Sequence, residues 1–435
     1  MYIFVNERND PGKTDSSPDR LSRSRFLKPE KFIQFLTCKP YKMKKLIVSV
    51  AVTLLCFTVS AQEEGYKFTD TQTVPVTSVK NQASSGTCWS FSGLAFLESE
   101  ILAQGGPEVD LAEMWIVRNA YFERAVKYVR MHGKANCAAG GATHDVFNMI
   151  RTYGIVPEEV YPGLNYGTDL HKHAEMDAVI KSYVDAIVSN PNKSLTTAWQ
   201  EGLNAILDAY LGKCPETFTY QGKEYTPQSF AASLGVDLDD YISITSFSHH
   251  PFYETFALEV PDNWAWGLSY NLPLDEFMKV CEATVEAGHP VLWASDVSEK
   301  GFAWNKGLAI VPEADTESME GTELARWVAL SQADKDRALY KFDKPGKEKV
   351  ITQELRQDAF DRYETTDDHG MEIVGLAVDQ AGNKYFKVKN SWGVGNHIYK
   401  GYFYASYPFV AYKTTNIMVN KNVLPKEVKK ALGIK

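Results

Sequence analysis

Apolar residues recur at helical spacing in the first half of the chain. From Cys88 to Gln104 they occupy most of the helical surface, and Gly105-Gly106 ends the run, which predicts a helix buried on most sides. A Gly-Gly turn at 140–141 precedes a short helix that stops at Gly154. The same periodicity predicts further helices at about 111–130, 174–188, 196–211 and 274–287.

The pattern changes to alternation near the end of the chain. Residues 289–297 ("HPVLWASDV") are strand-like, and "MEIVGLAV" and "KYFKVKN" predict a hairpin across 379–383. The stretches "GYFYASYPFVAY" and "TTNIMV" are predicted to continue as strands, whereas 314–365 is charged and mainly helical. The fold class is therefore α+β, with a helical N-terminal half packed against a β-rich C-terminal half.

A separate pattern marks the N-terminus. From Met43, two lysines precede an apolar run that ends in Val59-Ser60-Ala61, the arrangement of a secretory signal peptide. The run is shorter than the roughly 20 residues that span a bilayer, so no stable membrane insertion is expected after cleavage. We expect translation to start at Met43, an uncleaved signal anchor being the alternative. The chain is then exported, to the periplasm or the extracellular space.

Charge and cysteine content narrow the function. Of 46 basic and 55 acidic residues in the 435-residue chain, 1–61 carry 11 and 5, which leaves 35 against 50 and a net charge of −15. So acidic a surface repels phosphate backbones, and nucleic acid is excluded as a partner. Whether Cys137, Cys214 or Cys281 form a disulfide is left open, but four cysteines beyond 61 do not make a disulfide scaffold.

Cys88 carries the candidate chemistry. Its predicted place at a helix start lowers the cost of a thiolate, and Gln82 lies on the preceding loop as a donor to an oxyanion. His369 opens one strand of the predicted hairpin, and its partner strand ends at Asn390, so the asparagine is expected to orient the imidazole. Trp392 is expected to shield that hydrogen bond from water. Asp367 and Asp368, just before the histidine, are expected to be solvated and to favour the imidazolium.

These motifs resemble the papain-type cysteine peptidases. Gln82-x5-Cys88-Trp89-Ser90-Phe91, Asp368-His369-Gly370 and Asn390-Ser391-Trp392-Gly393 occur in the family's order, with Gly140-Gly141 and Tyr161-Pro162 between them. The resemblance implies a papain-like two-lobed fold, with a helical N-terminal lobe and an antiparallel β-barrel-like C-terminal lobe, here with large helical insertions. It assigns Cys88 as nucleophile, His369 as base and acid, Asn390 as its orienter and Gln82 as oxyanion donor. Gly140 and Gly141 would bind the substrate backbone.

Departures from papain favour one branch of that family. Ser85 replaces the usual disulfide cysteine, and the distance between Cys88 and His369 along the chain is large, as in bleomycin hydrolase and aminopeptidase C. That branch implies an aminopeptidase, a tail that enters the cleft, here ending at Lys435, and a homo-hexamer. The expected divisions are a leader (1–42), a signal peptide (43–61), a helical lobe with the nucleophile (62–165), a helical insertion (166–288), a β-rich lobe with His369 and Asn390 (289–419, insertion 314–365) and the tail (420–435).

Alternatives remain open. The chain is a peptidase acting on peptides from the N-terminus or within them, a silent peptide-binding relative, or another Cys–His enzyme such as a transglutaminase-like protein or a cell-wall amidase. No cofactor or metal is expected. His171-x-His173-x-Glu175 has ligand-type residues but is expected to be a solvated stretch, and His249-His250 a loop.

Overall fold

The computed structural model describes residues 65–434, which belong to one compact unit. The predicted signal peptide at 43–61 and the C-terminal Lys435 lie outside the described residues. Within residues 65–434 no helix combines the length and the apolar character needed to cross a membrane.

The helical half is built around α1 (Cys88–Ala103), which is buried along nearly its whole length. Gly93 allows this close packing, since a Cβ there would lie 2.6 Å from Val146 Cγ2 on α3. Side chains of this half form one large apolar core. The other helices of this half are α2 (Glu113–Arg130), α3 (Asp145–Tyr153), α4 (Ala174–Val188) and α5 (Ala198–Leu211).

An 11-stranded sheet forms the second half, in the order β5-β6-β4-β13-β7-β10-β11-β12-β9-β8, with β1 paired to β10. The predicted hairpin is confirmed, because β10 and β11 pair antiparallel. The strands of this sheet are β1 (Phe68–Thr73), β4 (Tyr241–Thr245), β5 (Thr255–Ala257), β6 (Leu268–Asn271), β7 (Val291–Ser295), β8 (Phe302–Ala303), β9 (Leu308–Ala309), β10 (His369–Asp379), β11 (Lys384–Lys389), β12 (Tyr402–Ser406) and β13 (Thr414–Asn420).

The middle of the chain is less helical than predicted. Residues 166–288 do contain α4, α5, a short α6 (Pro227–Ser233) and α7 (Leu274–Glu286), but five strands lie among them. The hairpin of β2 (Phe218–Tyr220) and β3 (Lys223–Tyr225) stands apart, whereas β4 joins the main sheet beside β13. A partner strand so distant along the chain leaves no local signal, which is why the sequence pattern missed this pairing.

One predicted strand is wrong. Residues 407–413 form helix α11 (Tyr407–Lys413), because the Ser406 side chain accepts a hydrogen bond from Phe409 N and Pro408 lies in the first turn. The insertion at 314–365 is helical as predicted, with α8 (Gly321–Ala329), α9 (Gln332–Leu339) and α10 (Gln353–Asp361). The tail forms α12 (Lys426–Ala431), whose Val428 is buried in the core of the β-rich half.

Candidate active site

Cys88 is the first residue of α1, and the backbone N–H of Trp89 in the first turn favours its thiolate. Thr87 precedes it, and the side chain of Ser85 lies against Thr87, 2.5 Å between the hydroxyl oxygens. Cys88 is half-buried and lines a cleft between the helical half and the sheet. The four cysteines of residues 65–434 are all free thiols, so Cys88 is not held in a disulfide with any of the other three.

Strand β10 delivers the histidine to the same cleft. His369 is its first residue and pairs with Ser295 of β7, while Gly370 packs onto α1. A Cβ at Gly370 would lie 2.6 Å from Ser92 Oγ, so only glycine permits this approach. The Gly370 N–H donates to the Cys88 sulfur. The structure therefore brings Cys88 and His369 into one cleft, as the motifs predicted.

The Asn390 side chain holds the imidazole. Its Oδ1 lies 2.7 Å from His369 Nε2 and also accepts from the Ser391 N–H at 2.7 Å. An amide oxygen only accepts, so His369 carries its proton on Nε2 and keeps Nδ1 as the free base. The Trp392 ring stacks on the imidazole, with centroids 4.8 Å apart, and covers it from one side.

Gln82 is buried beside the site but is held by its own loop. Its Nε2 donates to Ser85 O at 2.9 Å, and its Oε1 accepts from Ser391 Oγ at 2.7 Å. The backbone N–H of Gln82 also donates to Ser391 O. These bonds tie the loop before the nucleophile to the segment that orients the histidine. One Nε2 proton beyond the Ser85 bond is left to serve an oxyanion.

Burial shifts the pKa of each reacting group in the direction that favours its neutral form. It raises the pKa of the Cys88 thiol to about 12, against the opposing effect of the Gly370 N–H. Burial also lowers the pKa of His369 to about 4, although the bond to Asn390 and the charge of Asp368 act in the opposite direction. The expected influence of Asp368 on the imidazolium therefore has the predicted sign.

Gly140 and Gly141 were predicted to bind the substrate backbone, but the side chain of Asp262 lies against Gly140. A Cβ at Gly141 would lie 2.7 Å from the Trp89 ring, and one at Gly140 would overlap the carboxylate of Asp262. Sequence reasoning missed Asp262, because a single acid in a loop about 120 residues further on carries no signal. Asp367, expected to be solvated, is half-buried and lines the cleft with Asp262.

The histidines outside the cleft differ from expectation. His171 and His173 are buried rather than solvated, and their rings lie 5.6 Å apart. Among residues 65–434, the group with metal-ligand geometry is His249, His250 and Glu259, whose ligand atoms all lie within 4.8 Å of one another. Both histidine Nε2 atoms contact the Glu259 carboxylate, at 3.0 and 2.8 Å.

Comparisons with known proteins agree with this architecture. The model of the Peptidase C1-like family matches residues 114–434. Aminopeptidase C of Streptococcus thermophilus is 26% identical over 397 residues, 80% of this chain and 81% of that protein. Bleomycin hydrolase of Rattus norvegicus is 24% identical over 400 residues, 80% and 82% of the two chains. The crystal structure of PepW from Lactobacillus rhamnosis HN001 covers 90% of this chain and 92% of its own, with a TM-score of 0.62 and 19% identity. The papain-like α+β fold is thereby confirmed.

Proposed function

The chain belongs to the Peptidase C1-like family, and from this membership and the site geometry we propose that it is a cysteine aminopeptidase. The observation that carries the proposal is the convergence of Cys88, at a helix N-terminus, and the Asn390-held His369 in one cleft. The family match begins at residue 114, beyond Cys88, so the nucleophile is assigned from geometry. The relatives named aminopeptidase C and bleomycin hydrolase support the aminopeptidase class.

The reaction follows from the positions of the groups. His369 Nδ1 takes the thiol proton as Cys88 Sγ attacks the peptide carbonyl, and the Cys88 N–H with Gln82 Nε2 binds the oxyanion. The imidazolium then gives its proton to the leaving amine, and a thioester remains on Cys88. Water, deprotonated by neutral His369, attacks the thioester, releases the carboxylic acid and restores the thiol.

Loss of the thiol tests this proposal. Cys88→Ala should abolish hydrolysis of aminoacyl and peptide substrates, because nothing else in the cleft supplies a nucleophile at this position. Cys214→Ala is the matched control, since Cys214 is also a half-buried free thiol but lies outside the cleft lining, and it should keep wild-type kcat/KM. Iodoacetamide should label Cys88 and stop activity in step with labelling. Full activity of Cys88→Ala would contradict the proposal.

Export and assembly belong to the proposal as well. The segment 43–61 has the pattern of a signal peptide, and we expect cleavage after Ala61. N-terminal sequencing of protein recovered from the periplasm or the medium checks this, and an intact segment on the active protein would contradict it. The branch resemblance favours a homo-hexamer, which light scattering of the purified chain distinguishes from a monomer.

A further inference from the structure

Residues 258–267, here named the strap, cross the cleft beside the nucleophile. Leu258, Val260, Asp262 and Asn263 of the strap line the same cleft as Cys88. The strap lies between β5 and β6, within the part of the chain inserted between the two predicted lobes. At its centre the Asp262 carboxylate lies directly on Gly140, the residue predicted to bind the substrate backbone.

The strap is internally braced. The buried Asn263 side chain donates from Nδ2 to the carbonyls of Leu258 and Gly267, both at 3.0 Å. Its Oδ1 accepts from the Gly267 N–H at 2.8 Å, which closes the segment on itself. The strap is thus a rigid loop that fixes where Asp262 points.

Three further hydrogen bonds fasten the strap to the helical half. Trp264 Nε1 donates to Asp145 Oδ2 at 2.7 Å. On the other side, Asn136 Nδ2 donates to Pro261 O at 2.9 Å and to Asp262 Oδ1 at 3.1 Å. Among the described residues no hydrogen-bond donor to Asp262 Oδ2 is found. A carboxylate with one oxygen held and one free is positioned to bind something in the cleft.

The acidic groups of the cleft indicate which kind of ligand group Asp262 would bind. Asp262 and Asp367 both line it, and burial together with the charges of Asp262 and Asp368 raises the pKa of Asp367 to about 8. Burial raises the pKa of Asp262, and the charge of Arg124 opposes this only in part. Arg124 itself donates to Ala138 O and lies over the Trp264 ring. Two half-buried carboxyl groups face one cavity, and among the described residues no cation lies between them. A positively charged ligand group would stabilise their ionised forms, so this cavity favours a cation.

We propose that Asp262 binds the α-ammonium group of the substrate's N-terminal residue, with the Asp367 carboxyl group as a second hydrogen-bond partner. The inference rests on the proposed function and names the residue that recognises the free amino terminus which an aminopeptidase requires. The strap blocks the Gly140 wall, so a chain extending beyond the first residue meets the Asp262 carboxylate. An acylated terminus brings no charge to this carboxylate and adds bulk where the strap lies.

The same arrangement links binding to reactivity. The charges of Asp262 and Asp367 each raise the pKa of Cys88. A bound ammonium group neutralises them and so favours the thiolate when a correct substrate is present. An uncharged terminus leaves this penalty in place.

Asp262→Asn is the decisive variant, because it removes the charge and keeps the shape and the Asn136 contact. With alanyl-7-amido-4-methylcoumarin, kcat/KM should fall about 10- to 100-fold, mainly through KM, as expected for loss of a hydrogen bond between charged groups. With the N-acetyl form of the same substrate, kcat/KM should not fall. Glu259→Gln removes another acid of the strap, one that does not line the cleft, so it is the matched control and should keep wild-type values.

The rate of Cys88 labelling distinguishes a loss of the Asp262 charge from a general disturbance of the cleft by the substitution. Cys88 of Asp262→Asn should react with the neutral reagent iodoacetamide at least as fast as in the wild type, because its surroundings become less negative. If the Asp262→Asn variant does not fold, a protection experiment on the wild-type protein still tests the proposal. Alaninamide should slow iodoacetamide labelling of Cys88, and N-acetylalaninamide should not.

The outcomes distinguish the two levels of proposal. Unchanged kcat/KM of Asp262→Asn on the free substrate, or equal wild-type activity on free and acetylated substrates, overturns the ammonium site and leaves the peptidase intact. Equal protection of Cys88 by both amides overturns it too. A wild type that cleaves neither substrate, with Cys88 unlabelled by iodoacetamide, overturns the proposed function and the ammonium site together.

Discussion

At the scale of single residues, Asn390 decides which nitrogen of His369 acts. Its Oδ1 accepts from Nε2 at 2.7 Å, which leaves Nδ1 as the base. Asn390→Ala removes the acceptor, so the imidazole rotates and changes tautomer under the Trp392 ring. We expect kcat on a free aminoacyl amide to fall by up to about 10²-fold, with KM nearly unchanged. Steady-state kinetics measure the split.

Asn383→Ala is the control for that variant, since Asn383 lies in the turn of the same hairpin and its Nδ2 contacts Asp379. It should lower thermal stability without changing kcat. If Asn390→Ala kept wild-type kcat, the orienting role of Asn390 would be wrong.

His173 makes stability depend on pH. Its ring is fully buried, neither nitrogen has a hydrogen-bond partner among the described residues, and burial lowers its pKa from 6.5 to about 4. Below pH 6.5 the unfolded chain binds the proton first, so this residue's contribution to stability is present above that pH and is lost as the pH falls towards about 4. We expect His173→Phe to lose less unfolding free energy than wild type between about pH 7 and pH 4.5. Urea denaturation across that range measures the difference, and a difference that does not change with pH would contradict it.

The site residues differ in how far the sequence could predict their positions. His369 and Asn390 were predictable because they lie at the paired ends of one hairpin, 21 residues apart along the chain, so local pattern implies proximity. Asp262 was not, because only the folded chain brings the strap onto Gly140. Gln82 is intermediate: its loop was located correctly, whereas its bond to Ser391 depends on packing between the halves.

At the scale of elements, the segment 401–413 shows where pattern reasoning fails. Most of the residues are apolar and buried, so strand and helix periods fit equally well. The side chain of Ser406 resolves the ambiguity by capping α11 through Phe409 N at 3.1 Å. The capping signal of serine followed by proline in the first turn was present in the sequence but was outweighed by the aromatic run.

Removing that cap should therefore be costly. Ser406→Ala should lower the unfolding free energy by about 1–2 kcal/mol, at the upper end because Ser406 Oγ also contacts Glu348 at 2.6 Å. Ser331→Ala removes a comparable cap, from the exposed α9, and should cost less. Chemical denaturation of both variants gives the comparison. Equal or smaller loss for Ser406→Ala would show that α11 forms without its cap.

At the scale of the whole molecule, buried carboxylates of α1 join the helical half to the sheet half. Glu100 binds His289 at 2.9 Å and Asn420 at 3.0 Å, and Glu98 accepts from Thr77 and from the Leu111 N–H. The Glu100 contacts tie α1 to the segment before β7 and to the end of β13, and β7 pairs with the strand that carries His369. They join residues up to 320 positions apart, which explains why the sequence indicated two halves but not how they meet.

The tail offers the last test, because its predicted place in the cleft differs from where its described part lies. Val428 and Leu432 are buried in the core of the β-rich half, and among residues 420–434 none lines the cleft. Deleting residues 426–435 should therefore reduce stability by about 1.5–3 kcal/mol for each buried side chain lost. Deleting only 433–435 keeps both side chains and removes Lys435, the residue predicted to reach the substrate. If Asp262 selects free amino termini, this short deletion should leave the ratio of kcat/KM on free and N-acetylated substrates unchanged. If the ratio fell towards one, the C-terminal residues and not Asp262 would select substrates with free amino termini.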